Sequence, residues 1–429
     1  MIFRMSIKYM LVLAPAYAPI LLASYGSDTD FVRLSTSEIQ RTSYHWLNDT
    51  SLICKRDDSP SPEVVLPSSE DLVYKFDQAT PTGKLEPFRN GFYKSTCFHN
   101  PTDDGPKELC IFVNPSINQG QGMVIVTPTE LFERKLNNGI DLSDDPPNPG
   151  TVQVVDMPEK GGKGALATRD LKTGDYIAMS RPVALLPGST PLWETPLGRS
   201  IRRKAIDHLP LLTRAEVATY HGVGDTEDEY ISSLVDMNVF GSEFSEDESL
   251  EFGALVLEPA RLNHACRPNV VYYLDEGTQM LYMRALEPVA KGEELTINYR
   301  EYELPRQERR DILEEAYGFN CTCSHCQMSE ELGKLSDNRV ARISELLSIA
   351  FFDLSVDEAE EMVNLCETEK IPPCIAEASF AAAKIYRVLG NLEKVREHAE
   401  VARNMGILTL GLGWENLDGV EELLSLSTS

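Results

Sequence analysis

The chain has 429 residues and a formal net charge of −27, with 42% hydrophobic and 25% charged residues. That length is too great for one compact core and suits two or three domains of ordinary globular composition. So acidic a surface repels phosphate backbones, which argues against direct nucleic-acid binding and leaves Lys-rich protein segments as electrostatically favoured partners, though solubility alone accounts for most of such a charge.

At the N-terminus, Arg4 and Lys8 flank the start of an apolar run over residues 9–23, followed by Ser24 and Gly26. A basic head, an apolar middle and a small-residue exit outline a secretory signal over residues 1–26. The run is short for a membrane span, and Pro15 and Pro19 disturb a helix there. No other stretch is apolar enough to cross a bilayer. Residues 27–150 form a first region with Pro/Ser/Asp-rich segments, to which no chemistry is assigned. It holds strand-like runs at 109–113 and 122–126, a short helix at 129–135 and a linker composition at 144–150. Three of the nine cysteines, Cys54, Cys97 and Cys110, fall in it. Cys97 and Cys110 are the more plausible pair, although connectivity is not readable from sequence.

Residues 151–327 form the core region. Strands are predicted at 151–155, 165–169 and 175–186 around the Gly161–Gly164 turn. A helical, acidic insertion without cysteine follows at about 191–249. Residues 254–262 read as helix-like. Asp275-Glu276-Gly277-Thr278 sits between two apolar runs as a hairpin signal, and residues 305–316 read as a helix with Pro at its start. Residues 335–429 are helical throughout, with one helix–turn–helix unit similar to a tetratricopeptide repeat but no fixed period. A packed bundle is therefore the expectation.

Three segments carry the chemistry. They are Arg261-Leu262-Asn263-His264-Ala265-Cys266-Arg267-Pro268-Asn269, Glu294-Leu295-Thr296-Ile297-Asn298-Tyr299, and Cys321-Thr322-Cys323-Ser324-His325-Cys326. Each has an ordinary reading: a capped loop, a strand ending in a packing tyrosine, and a local thiol cluster. Three thiols at Cys-x-Cys-x-x-Cys spacing can wrap one ion, and structural zinc wants four ligands. Taken in this order, the motifs resemble the SET-domain protein-lysine methyltransferases, and especially the SET- and MYND-domain type. The insertion lacks the cysteines of a MYND finger. The whole chain looks more like a fungal SET-domain protein than an animal one.

The resemblance implies an α+β fold: a SET-domain β fold of small sheets with a pseudoknot, a helical insertion, a post-SET zinc site and an α-helical C-terminal region. It implies S-adenosylmethionine as methyl donor, contacted by Lys163, Gly164, Asn263, His264, Tyr299 and Phe319. It places Tyr299 as the catalytic residue and Tyr317 in the substrate channel. Cys266 becomes the fourth ligand to a structural zinc with Cys321, Cys323 and Cys326, in competition with His325 or a disulfide within the cluster. The family pattern more often ends Asp-Tyr, where this chain has Asn298-Tyr299. The implied partner is a protein or peptide bearing a lysine, a histone tail among the candidates.

A catalytically silent SET scaffold acting as a protein-binding module is the alternative, and the retention of Tyr299 and the Asn263-His264 pair favours the enzyme. Location is in tension with chemistry. The signal outline points to the secretory pathway, whereas thiolates and the methyl donor point to the cytoplasm or nucleus. Of two glycosylation patterns, Asn48-Asp49-Thr50 and Asn320-Cys321-Thr322, the second overlaps the cysteine cluster, so Asn48 is the informative one.

Overall fold

The computed structural model describes residues 85–101, 106–142, 149–188, 191–242, 244, 251–350 and 352–426. The signal outline at 1–26, Asn48 and Cys54 lie outside the described residues.

Strands β1 (Glu86–Pro87), β2 (Tyr93–His99), β3 (Glu108–Asn114) and β4 (Met123–Thr127) precede the core region. They join β8 (Ala184–Pro187), β9 (Val239–Ser242) and β10 (Phe252–Leu255) in one seven-stranded sheet of order β1-β2-β3-β4-β8-β10-β9. The join is parallel, with Val124 opposite Ala184 and Ile125 opposite Leu185. The first region therefore extends the sheet of the core. Cys97 lies opposite Cys110 across β2 and β3, and the two are disulfide-bonded.

This sheet is buried on both faces, which is why β3 and β4 read as unbroken apolar runs rather than alternating ones. Leu109, Ile111, Val113, Val124 and Val126 face one core with Ile201, Ala205, Leu234 and Val235 of the insertion. Phe112, Met123 and Ile125 face the other core with Phe132, Ala165, Ile177, Leu281 and Leu295. The insertion folds as helices 196–207, 211–217 and 227–238. Thr226 and Glu229 form a reciprocal capping box that starts the last of these. The insertion is thus a structural layer over the sheet, and its last residues turn into β9.

Two smaller sheets pack on the opposite face. β5 (Val152–Met157), β6 (Gly162–Ala167), β11 (Asn263–His264) and β14 (Glu294–Ile297) run in the order β11-β14-β6-β5. β7 (Tyr176–Ser180), β12 (Val270–Asp275) and β13 (Met280–Ala285) run in the order β12-β13-β7. The β12–β13 turn is closed by Asp275 Oδ1, which accepts from Thr278 N at 2.8 Å and Thr278 Oγ1 at 2.6 Å. The expected helix over 254–262 is not formed. Residues 252–255 are strand β10, and residues 259–261 make a single 3-10 turn. A short apolar run fits a buried strand as well as a helix, and pairing with β8 and β9 decides it here.

The C-terminal region is a packed bundle of helices 330–347, 356–368, 372–388, 392–409 and 417–426. One buried carboxylate is among its ties to the core, beside the packing of Tyr302 in the bundle and the Lys370–Glu287 ion pair. Glu369 accepts from Arg267 Nη2 at 3.1 Å, Ser336 Oγ at 2.7 Å and Arg339 Nε at 2.6 Å. Burial opposes its charge, but the hydrogen bonds from Ser336 and Arg339 and the field of Arg267 outweigh it and hold the carboxyl below its ordinary value. Glu369→Ala leaves Arg267 buried and uncompensated. Denaturant unfolding should show a loss of about 3–5 kcal/mol at neutral pH. A folded-state pKa below the unfolded one stabilises above the unfolded value and is lost as pH falls through the folded value. The difference from the parent should therefore begin to shrink below about pH 4.3.

Candidate active site and metal centre

Tyr299 follows the end of β14 and is gripped by the segment leading through β11. Its hydroxyl donates to the Leu262 carbonyl at 2.7 Å, and its backbone N–H donates to His264 Nδ1 at 3.0 Å. β11 and β14 pair in parallel, with Asn263 opposite Thr296 and His264 opposite Ile297. Asn269 clamps the same pair, donating to Glu294 O and accepting from Thr296 N, each at 2.9 Å. Burial pushes the Tyr299 phenol far above its ordinary pKa. The group is therefore neutral at pH 7 and acts as a hydrogen-bonding hydroxyl, not as a base.

Two further aromatics converge on it. Helix 306–317 ends at Gly318, whose φ of +72° is left-handed and unfavourable for a side chain. The sharp exit delivers Tyr317 and Phe319 to the same place. The Tyr317 ring centroid lies 5.1 Å from that of Tyr299, and Phe319 lies 6.4 Å from both. The Tyr317 hydroxyl lies beside the Arg300 guanidinium. Burial also raises its pKa well beyond the usual range, so it too stays protonated.

The glycine-rich strand forms the adjoining wall. Asn263 Nδ2 donates to Lys163 O at 3.2 Å and to Glu294 Oε1 at 2.9 Å, binding β11 to β6 and β14. A Cβ at Gly164 would come within 2.3 Å of Met157 Sδ and 2.7 Å of Asn263 Nδ2, so a side chain there would push both of these aside. Lys163 turns its ammonium outward to Asp156 at 2.8 Å and offers its backbone to the wall. Sequence reasoning passed over Tyr272 and Phe240, whose rings meet edge to face at 4.9 Å on the same core. Aromatics inside apolar strands carry no signal that separates lining a slot from filling a core.

The four cysteines come together. Cys266 Sγ is 3.9 Å from Cys321 Sγ and 3.4 Å from Cys326 Sγ, and with Cys323 all four sulfurs lie within 4.8 Å of one another. Tetrahedral zinc with Zn–S bonds of about 2.3 Å spaces its sulfurs by roughly 3.8 Å. The donor set therefore fits such an ion. His325 is turned elsewhere, its Nε2 at 3.3 Å from Ser336 Oγ and 3.9 Å from Glu369 Oε2. Cys266, Cys321, Cys323 and Cys326 are all free thiols, so no disulfide competes within the cluster.

Residues 162–300 match the family model of the SET domain. This chain carries a SET domain. Histone-lysine N-methyltransferase set5 of Schizosaccharomyces pombe is 27% identical over 188 residues, covering 44% of this chain and 54% of that protein. Histone-lysine N-methyltransferase Smyd1 of Mus musculus is 28% identical over 210 residues, covering 41% of this chain and 43% of its own length. N-lysine methyltransferase SMYD2-B of Xenopus laevis is 32% identical over 125 residues, 27% of this chain and 28% of its own. The chain thus spans about half or less of these relatives. The SET domain holds the glycine-rich wall, the Asn263–Cys266 segment and Tyr299, while Tyr317, Phe319 and three of the four thiols follow it.

Proposed function

We propose that the protein transfers a methyl group from S-adenosylmethionine to a lysine side chain of a protein substrate. The observation that carries this reading is the convergence of Tyr299, Tyr317 and Phe319 on the Leu262–Cys266 segment, beside the close-packed wall at Gly164. The relatives are lysine methyltransferases by name, which supports the same reaction class.

When bound, the donor supplies an electrophilic methyl on a sulfonium. Phe319, half-exposed at the rim and 6.2 Å from the His264 ring, offers a face to the flat base. The Lys163 and Gly164 backbone and the Asn263 segment shape the remainder of that site. A lysine amine with a pKa of about 10.4 in water must shed its proton before it attacks. Burial around Tyr299 and Tyr317 disfavours the ammonium form by desolvation. The Arg300 guanidinium beside the Tyr317 hydroxyl is a further cation that favours the neutral amine. Tyr299, fixed at both its N–H and its hydroxyl, sets the line of approach, so the gain is one of orientation. The four thiolates would hold a structural zinc that closes the loop carrying Phe319 against Cys266.

Isothermal titration with S-adenosylmethionine tests the donor site. Phe319→Ala should weaken binding by about 1–3 kcal/mol, the worth of one aromatic stack on a base. Unchanged affinity would remove Phe319 from the donor site.

A further inference from the structure

The His264 imidazole has both nitrogens engaged, in opposite senses. Nδ1 accepts the Tyr299 backbone N–H at 3.0 Å, so it carries no proton. A neutral imidazole then bears its hydrogen on Nε2. Nε2 lies 3.4 Å from Cys266 Sγ and therefore donates to that sulfur. The ring is only 8% exposed, which keeps water from replacing either bond. The backbone beside it is fixed too, Ala265 N donating to Ile297 O at 2.9 Å. One side chain thus joins the thiolate cluster to the residue that orients the reacting amine.

We propose that His264 is a positioning residue that couples occupancy of the Cys266, Cys321, Cys323 and Cys326 cluster to the placement of Tyr299. A thiolate on a metal accepts the Nε2–H, which fixes the tautomer and keeps Nδ1 free to hold the Tyr299 amide. With the cluster empty no metal holds the Cys266 sulfur in reach of Nε2, and the ring is free to turn away from Tyr299. The functional half rests on the methyl-transfer reading, whereas the coupling itself does not.

Two substitutions in the full-length protein separate the ends of the ring. His264→Asn keeps an acceptor near the Nδ1 position and loses reach to the sulfur. His264→Gln keeps a donor near the Nε2 position and loses the bond to the amide. Zinc release to a chromophoric chelator and the cobalt(II)–thiolate absorption band report the sulfur end. His264→Asn should hold metal about 10- to 100-fold more weakly, with a shifted cobalt band. His264→Gln should release metal at the parent rate while kcat falls about 100-fold with little change in KM. The amide end is read without turnover: stripping the metal should shift the Tyr299 backbone amide resonance further in the parent than in His264→Gln, and equal shifts would overturn the coupling. Equal losses of metal and turnover in both variants, or no change in either, would overturn the coupling. If the parent transfers no methyl yet the resonance and cobalt results hold, the coupling stands and the methyl-transfer reading is what fails.

Discussion

Tyr299→Phe is expected to lower kcat for lysine methylation by about 100-fold or more while the protein stays folded and binds the methyl donor with nearly parental affinity. Phenylalanine keeps the ring that packs 5.1 Å from Tyr317 and 5.3 Å from His264. It also keeps the backbone N–H bond to His264 Nδ1. What it loses is the hydroxyl, which donates to Leu262 O at 2.7 Å. That bond fixes where the phenol oxygen stands relative to an amine brought beside Tyr299. Misplacement by about 1 Å in a displacement reaction costs on the order of 100-fold. Because burial keeps this phenol protonated far above neutral pH, the loss should be uniform from about pH 7 to 9 and not follow a tyrosine titration. Steady-state kinetics with titration of the donor check this, and parental turnover in the variant would exclude the hydroxyl from the mechanism.

Metal removal should have an effect of similar size by a different route. The free energy of structural zinc in small tetrathiolate-type modules is about 10–16 kcal/mol at pH 7, so metal binding and local folding are one event. Here the ligands bridge the core and the post-SET segment. Cys266 is wholly buried next to β11, while Cys321 lies two residues and Cys326 seven residues after Phe319. Cys266→Ser should lose the metal, release the segment that presents Tyr317 and Phe319, and abolish transfer, with hydrogen exchange rising over residues 317–328. The seven-stranded sheet should keep its protection, since its cores contain none of the four thiols. Metal content by atomic absorption and exchange by mass spectrometry read both. A chelated protein that keeps its post-SET protection would exclude a structural ion.

Motif order made the site legible in the sequence more fully than the fold. Asn263, His264, Cys266, Tyr299, Tyr317, Phe319 and the thiols at Cys321, Cys323 and Cys326 meet in one place because each motif is short and chemically distinctive. The four-ligand requirement also ranked Cys266 above His325, whose ring the structure turns toward Ser336 and Glu369. The sheet was less legible. The strands could be read from their apolar runs at 109–113 and 122–126, but not their partners. Pairing β4 with β8 joins residues far apart in sequence through backbone bonds that leave no mark on side-chain choice. The same limit produced the helix expected at 254–262, where Gly253 lets Val239 approach so closely that a Cβ would stand 2.8 Å from it. Glu369, a link between bundle and core, was invisible for another reason. It lies in a helical region rich in acidic residues, and nothing in sequence separates it from its solvated neighbours.

The most direct test is transfer itself. Purified full-length protein, loaded with zinc and incubated with S-adenosylmethionine labelled at the methyl group and an array of lysine-bearing peptides, should place label on the lysine nitrogen of a subset of peptides. Tyr299→Phe should remove nearly all of it. If the protein binds the donor and retains its metal, yet no peptide and no protein extract acquires label above that variant, the methyltransferase assignment is contradicted and the binding-module alternative takes its place.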